Sequence, residues 1–418
     1  MSRSRRLLRR VAANAAGTAC LVACLLAGCA KPSRWSAPDP AETLPDSVDA
    51  AVGRRTHPSE LPDIPPPTHF RPCCAFGSNL RVRVGFVPVP GFDLLNVVGP
   101  DRLGHHRYDN GLIQTAPTVQ NGGVVEGEHN GLVYTCRGGF IDVAHVRNWV
   151  DWSTFLASRI ARDLAAGTVI ELPSKGGRRT LRIRATDPAV IERVGRLPAT
   201  IPLAQWAAYQ VSIWDEISTW YGWSHLPIFS ERSSAFSPED LYSDVIGIKI
   251  MAAILAQEGA RTEPLYDESV DHRLRAVLRS LGAVDRDVSR EATRDVEGLW
   301  WDARRRIPDM DLVRRRNVAV GMPLVPWLIP RDRMSPSLRA ACGDAPEPLP
   351  LAISESDSEG VPFSDRAALE ITVGSPLKSQ EPFRSMNGRL TQADFPALLD
   401  VIRAEAHARF GARACEPE

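Results

Sequence analysis

The chain has 418 residues, and its 50 lysines and arginines balance its 50 aspartates and glutamates to a formal net charge of +0. Five of the arginines lie ahead of Cys29, so the charge falls to −5 once that leader is removed. This balance excludes the basic footprint of a nucleic-acid binder. The basic residues are nearly all arginine, with lysine only at Lys31, Lys175, Lys249 and Lys378, a bias of coding more than of chemistry.

Arg3, Arg5, Arg6, Arg9 and Arg10 form a basic start, Val11 to Leu26 a modest apolar stretch, and Leu26-Ala27-Gly28-Cys29 closes it. The tetrapeptide resembles the lipobox of bacterial lipoproteins, which implies a signal peptide over 1–28 and lipidation of Cys29 by acyl chains such as palmitate. Two or three chains at roughly 0.8 kcal/mol per buried CH₂ anchor stably. The apolar stretch is too short, and too interrupted by Asn14, Gly17 and Thr18, to span a bilayer. Ala30 in place of an aspartate after the lipid site points to the periplasmic face of the outer membrane. Ser4-Arg5-Arg6-Leu7-Leu8 partly resembles a twin-arginine motif, which leaves the export route open.

Residues 29–69 are rich in Pro, Ser, Asp and Ala without apolar periodicity, and read as a lipid-anchored spacer. From Phe70 the chain is expected to fold. Alternation over Arg81 to Val87 predicts a strand, glycine-rich loops follow from Gly99 to Gly139, and Gly131 to Thr135 reads as a short strand. Phe140 to Ala165 predicts a long helix buried on several sides. A hairpin is expected at 168–172 and 180–184 around Ser174-Lys-Gly-Gly177, then connecting structure over 184–202 and a second long helix over Ala204 to Tyr221. Ser237-Pro-Glu-Asp240 supplies a cap, a first-turn proline and acidic residues, so 238–258 should be helical. Helices over 269–281 and 289–306, a strand at Leu369 to Val373 and a helix from Thr391 to Gly411 complete an α+β, mainly helical single domain.

Asp142 and His145 lie three apart on one helical face with Trp149 and Trp152, and Glu216 shares a face with Tyr209, Ile213 and Trp220 on the second helix. An acid and an imidazole among aromatics are costly to desolvate unless paired or metal-bound. Asp142, His145 and Glu216 are therefore candidate zinc or manganese ligands or acid/base residues, with His225 as a further ligand. The other reading is structural: Asp142 caps its helix or pairs with His145, Arg147 or Arg137, and Glu216 satisfies a buried arginine. The loop His105-His106-Arg107-Tyr108-Asp109, Glu126-Gly-Glu-His129, and the runs Arg304 to Arg306 and Arg314 to Arg316 read as solvated turns or a solvated helix face.

Cys136 precedes a helix start, where the dipole favours a thiolate, and with His129 or a histidine on a later strand it is the rival catalytic candidate. A disulfide is the competing reading, since Cys73, Cys74, Cys136, Cys342 and Cys415 remain beside Cys29. The pairings expected are Cys136 with Cys73 or Cys74, and Cys342 with Cys415.

Four motifs, Arg71-Pro-Cys-Cys-Ala-Phe-Gly77, the run Tyr134 to Arg147, Trp214 to Gly222 and Ser234 to Ser243, resemble a family of bacterial envelope lipoproteins catalogued as a domain of unknown function. The resemblance covers 70–330, leaving 331–418 as a C-terminal extension packed on that core. It brings no activity, and implies that a histidine can stand where this chain has Asp215. Two readings follow: a lipid-anchored periplasmic hydrolase or transferase acting on an envelope substrate, or a non-catalytic envelope protein binding a partner. Membrane contact is expected through Cys29.

Overall fold

The computed structural model describes residues 61–71, 75–84, 87–94, 96–110, 118–120, 123–125, 127–224, 230–257 and 262–416. The signal segment, Cys29, the spacer up to residue 60, Cys73, Cys74, Glu126 and His225 lie outside the described residues. Among those described, two short hairpins come first: β1 (Leu80–Val84) with β2 (Val87–Leu94), and β3 (Thr118–Gln120) with β4 (Gly123–Val125). A third, β5 (Leu132–Thr135) with β6 (Gly139–Asp142), runs directly into helix α1 (Val143–Asp163). There follow β7 (Thr168–Leu172), β8 (Gly177–Ile183), α2 (Pro188–Val194), α3 (Arg196–Trp220), α4 (Asp240–Gln257), α5 (Glu263–Ser280) and α6 (Arg286–Asp295). The C-terminal part adds α7 (Pro336–Cys342), α8 (Phe363–Arg366), β9 (Ala367–Val373), β10 (Arg389–Thr391) and α9 (Phe395–Phe410). The class is α+β, and no described helix is long and apolar enough to cross a membrane.

Helices α1, α3 and α4 pack on one another at the centre. Each is buried on most of its circumference, which is why their apolar residues do not fall on one stripe. α4 lies tight against α1 at Gly247, where a Cβ would run into the Val146 carbonyl oxygen and the Val150 nitrogen. The absent side chain lets the two backbones meet and so sets the N-terminal halves of both helices side by side. An antiparallel sheet in the order β10-β9-β8-β7 covers α3, pairing Leu181 with Leu369 and Ile183 with Ala367. Trp214 of α3 meets Phe383 and Phe395 from the C-terminal part at centroid distances of 6.1 and 6.3 Å. A satellite cluster of Phe76, Phe140, Trp300 and Trp327 sits under β5 and β6 in edge-to-face and tilted pairs.

Several expectations are corrected. The stretch 184–202 is not merely connecting: Asp187 caps α2, and α3 starts at Arg196, tolerating Pro202 in its interior. Residues 140–142 pair as a strand, so α1 begins later than its apolar run suggested. The helix expected over 289–306 ends at Asp295, and Trp300 and Trp301 lie beyond it in irregular chain that fills the satellite core. The capping box at Thr391 and Asp394 heads a 3₁₀ turn, with α9 proper beginning at Phe395.

Candidate metal centre

The start of α1 and the start of α4 bring their polar residues together. Asp142 caps α1, its Oδ1 accepting the N–H groups of Ala144 at 2.7 Å and His145 at 3.4 Å. On α4, Asp240 accepts the Ser237 N–H at 2.7 Å, and Asp244 follows one turn later. His145 Nδ1 lies 2.7 Å from Asp244 Oδ1, and its Nε2 lies 3.6 Å from Asp240 Oδ1. If Nδ1–H donates to Asp244, Nε2 is the ring atom left to hold a proton or a cation; this tautomer is assigned from the partners. One ligand atom each from Asp142, His145 and Asp240 lies within 4.8 Å of the others, a buried set that could hold a metal ion.

More acids surround this set. Glu216 of α3 accepts the Phe236 N–H at 2.6 Å. Phe236 adopts a left-handed φ of 55°, a conformation fixed by its neighbours: Arg316 Nη1 binds the carbonyls of Ser233 at 3.1 Å and Ala235 at 2.7 Å, and the Asn317 N–H binds that of Phe236 at 2.8 Å. Glu239 is 2 % exposed and, among the described residues, its carboxyl oxygens accept from no other residue; Asp244 Oδ2 has no hydrogen-bond partner among them either. Burial pushes Glu216 up to about 7 and raises Asp244, while burial and then adjacent acids hold Glu239 and Asp240 well above the usual carboxylate range. Burial likewise lowers the Arg316 guanidinium to about 10 against the pull of Asp240, Glu216 and Glu239. Five carboxyl groups thus gather in the interior around one imidazole, with Arg316 as their nearby fixed cation. A low-dielectric site of this kind either keeps protons or takes up a cation.

The structure therefore joins Asp142 and His145, as their spacing implied, and puts Glu216 beside them. Asp240, Asp244 and Glu239 were missed, although Asp240 and Asp244 stand four apart on one face of a helix already recognised by its cap. Asp215 binds Arg179 Nη1 at 2.6 Å and Lys175 Nζ at 3.1 Å.

Other expectations are overturned. Cys136 is joined to Cys342 across a Cα–Cα distance of 5.1 Å, because the end of α7 lies over the β5–β6 turn; this removes Cys136 as a nucleophile and leaves Cys415 a free, half-buried thiol. His106 is no solvated turn: it is 1 % exposed, with Nε2 3.0 Å from Asp151. Glu128 is buried against Arg71 at 2.6 and 2.8 Å, and Arg71 also binds Asp151 at 2.9 Å. Arg304 to Arg306 and Arg314 to Arg316 are not on a helix, and Arg316 is fully buried.

Residues 61–330 match the family model described as a protein of unknown function, DUF4056. The chain belongs to that family. Every residue of the centre, from Asp142 to Arg316, lies inside the DUF4056 region, whereas β9, β10 and α9 lie beyond it. No curated protein and no solved structure matches the chain.

Proposed function

We propose that this DUF4056 protein is anchored by lipid at Cys29 on the periplasmic face of the bacterial outer membrane, holds a divalent cation, zinc or manganese, at Asp142, His145 and Asp240, and acts as a hydrolase or transferase on an envelope substrate. The lipobox supports the address. The observation that carries the chemistry is the surplus of buried carboxyl groups around His145, two of them, Glu239 and Asp244, with oxygens that accept from no other residue among those described. Mixed nitrogen and oxygen ligands suit zinc or manganese, and Asp244 behind His145 forms the carboxylate–histidine pair that orients a metal-bound imidazole. A cation here supplies Lewis acidity. Glu216, pushed up to about 7, is suited to take and return a proton near neutrality.

The second reading is a non-catalytic envelope protein in which the same polar residues hold the fold. The observation favouring it is that Asp142, Asp240 and Glu216 each already bind a backbone N–H at a helix start or loop. Elemental analysis of the full chain, purified in detergent without chelator, decides between them. Near-stoichiometric zinc or manganese, lost in a folded H145A variant, supports the cation centre; metal-free protein that takes up neither metal on addition leaves the structural reading.

A further inference from the structure

The C-terminal ends of α3 and α9 border a cleft. A cavity of about 370 Å³ opens there, lined by Trp220 at the end of α3, by Arg232 and Met310 from the chain between α3 and α9, and by Glu405, Ala408 and Arg409 of α9. That volume falls in the range of small-molecule sites, roughly 300–1,000 Å³. Trp220, Arg232 and Met310 lie in the family-matched region and the α9 residues beyond it, so the cleft is formed where the two parts meet. None of these residues belongs to the acid cluster, although Trp220 follows Glu216 by one turn of α3.

Trp220 fixes one charge of each sign on the wall of this cavity. Its carbonyl accepts from Arg232 Nε at 2.8 Å, and its indole N–H donates to Glu405 Oε2 at 2.8 Å. Trp220 itself is 1 % exposed, with the Arg316 guanidinium carbon 5.7 Å from its ring centroid, so it is a rigid anchor for both. Each contact uses only part of the charged group. Arg232 keeps both terminal nitrogens and Glu405 keeps Oε1, and neither residue has an ion-pair partner among the described residues, the other included. Arg409 differs, because its Nε already binds Asp311 at 2.6 Å. Met310 and Ala408 add apolar surface, the thioether of Met310 being able to adapt to what lies against it.

We infer that this cleft binds a zwitterionic amino-carboxylate, an amino acid or a short peptide with both ends free, its carboxylate on the Arg232 guanidinium and its ammonium on Glu405. The two terminal nitrogens of a guanidinium match the two oxygens of a carboxylate, and an ammonium donates to a carboxylate oxygen in a charge-assisted bond. A simple anion would face Glu405 in the same cavity, and a simple amine would face Arg232. A molecule carrying both charges satisfies both, with its carbon body against Met310 and Ala408. The site goes beyond the cation centre and does not depend on it.

The test is calorimetric titration of glycine, 4-aminobutyrate and 6-aminohexanoate into the full chain in detergent, for wild type, R232Q and E405Q. This series lengthens the carbon body between the same two charges, so the member that best spans the cleft binds tightest. The methyl ester and the N-acetyl derivative of that member should each bind wild type at least tenfold more weakly. R232Q should bind the zwitterion at least tenfold more weakly and no longer distinguish it from its ester. E405Q, which keeps an oxygen for the Trp220 indole, should lose as much and no longer distinguish the free amine from the N-acetyl form. A packing role for either side chain would not produce these matched losses. Chelator should change none of them. Failure of all three probes to bind, a blocked derivative that binds wild type as tightly as its parent, or unchanged affinity in either variant overturns the inference. Binding abolished by chelator would move the ligand to the cation centre and overturn it as well.

Discussion

His145 Nδ1 and Asp244 Oδ1 meet at 2.7 Å across the α1–α4 interface, joining two helices that are separated by 99 positions in the chain at this pair. The contact orients the imidazole so that Nε2 faces Asp240. Asp244→Asn keeps the size of the side chain and a carbonyl oxygen for Nδ1–H, but removes the charge that raises the basicity of the ring. Cation affinity should fall by about 10- to 100-fold with the fold intact. Isothermal titration with zinc or manganese reads this directly, and an unchanged affinity would contradict the role given to Asp244.

The buried acids set a pH dependence whose sign can be worked out. Glu216, pushed up to about 7, keeps its proton in the native state at pH values where a glutamate of the unfolded chain, near about 4.3, has lost it. The native state then binds more protons than the unfolded state, and stability falls as pH rises. Asp240, Glu239 and Asp244 are raised as well and act in the same direction. Chelated protein should lose on the order of 3 kcal/mol from the Glu216 contribution between pH 5 and 8. Urea unfolding at the two pH values measures this, and added zinc or manganese should reverse the slope, because a cation binds best to the deprotonated acids. A chelated protein that is more stable at pH 8 than at pH 5 would count against this account.

Gly247 controls how near α4 comes to α1. In Gly247→Ala the new methyl meets the Val146 carbonyl oxygen, and the helices must part to accept it. The expected loss is about 1–3 kcal/mol of stability, with weaker cation binding because Asp240 and Asp244 move away from His145. A variant as stable as wild type in urea would show that the interface has slack.

The Cys136–Cys342 disulfide closes a loop over a sequence separation of 206 residues. Cys136→Ser, Cys342→Ser and the double variant should each lose about 2–4 kcal/mol, the double no more than either single, since one bond is removed in every case. Denaturant unfolding with and without reductant checks it. Under non-reducing denaturation Cys415 should react with a thiol reagent while Cys136 does not.

Ending the chain after Pro330 removes β9, the partner of β8 over Gly177 to Ile183, and with it the aromatic cover of Trp214. The truncated protein should aggregate, because β8 becomes an open edge and an apolar face is uncovered. A soluble, cooperatively unfolding 61–330 fragment would show that the family-matched region stands alone.

The amino-acid sequence alone determined the features that depend on near neighbours. Uninterrupted apolar stretches marked α1, α3 and α4, and Ser237-Pro-Glu-Asp240 marked the start of α4, since caps and helical periodicity act within a few residues. The i,i+3 spacing put Asp142 and His145 on one face for the same reason. What the tertiary structure decided was which distant groups meet them. Asp240 and Asp244 reach His145 only because Gly247 permits a close helix crossing, Cys136 finds Cys342 only because α7 folds back over the β5–β6 turn, and His106 and Glu128 become interior charges only because Arg71 and Asp151 are there to receive them. Charged residues look alike along a chain whether they end in water or in the core; their cost, and hence their chemistry, is set by the burial and the partners that packing supplies.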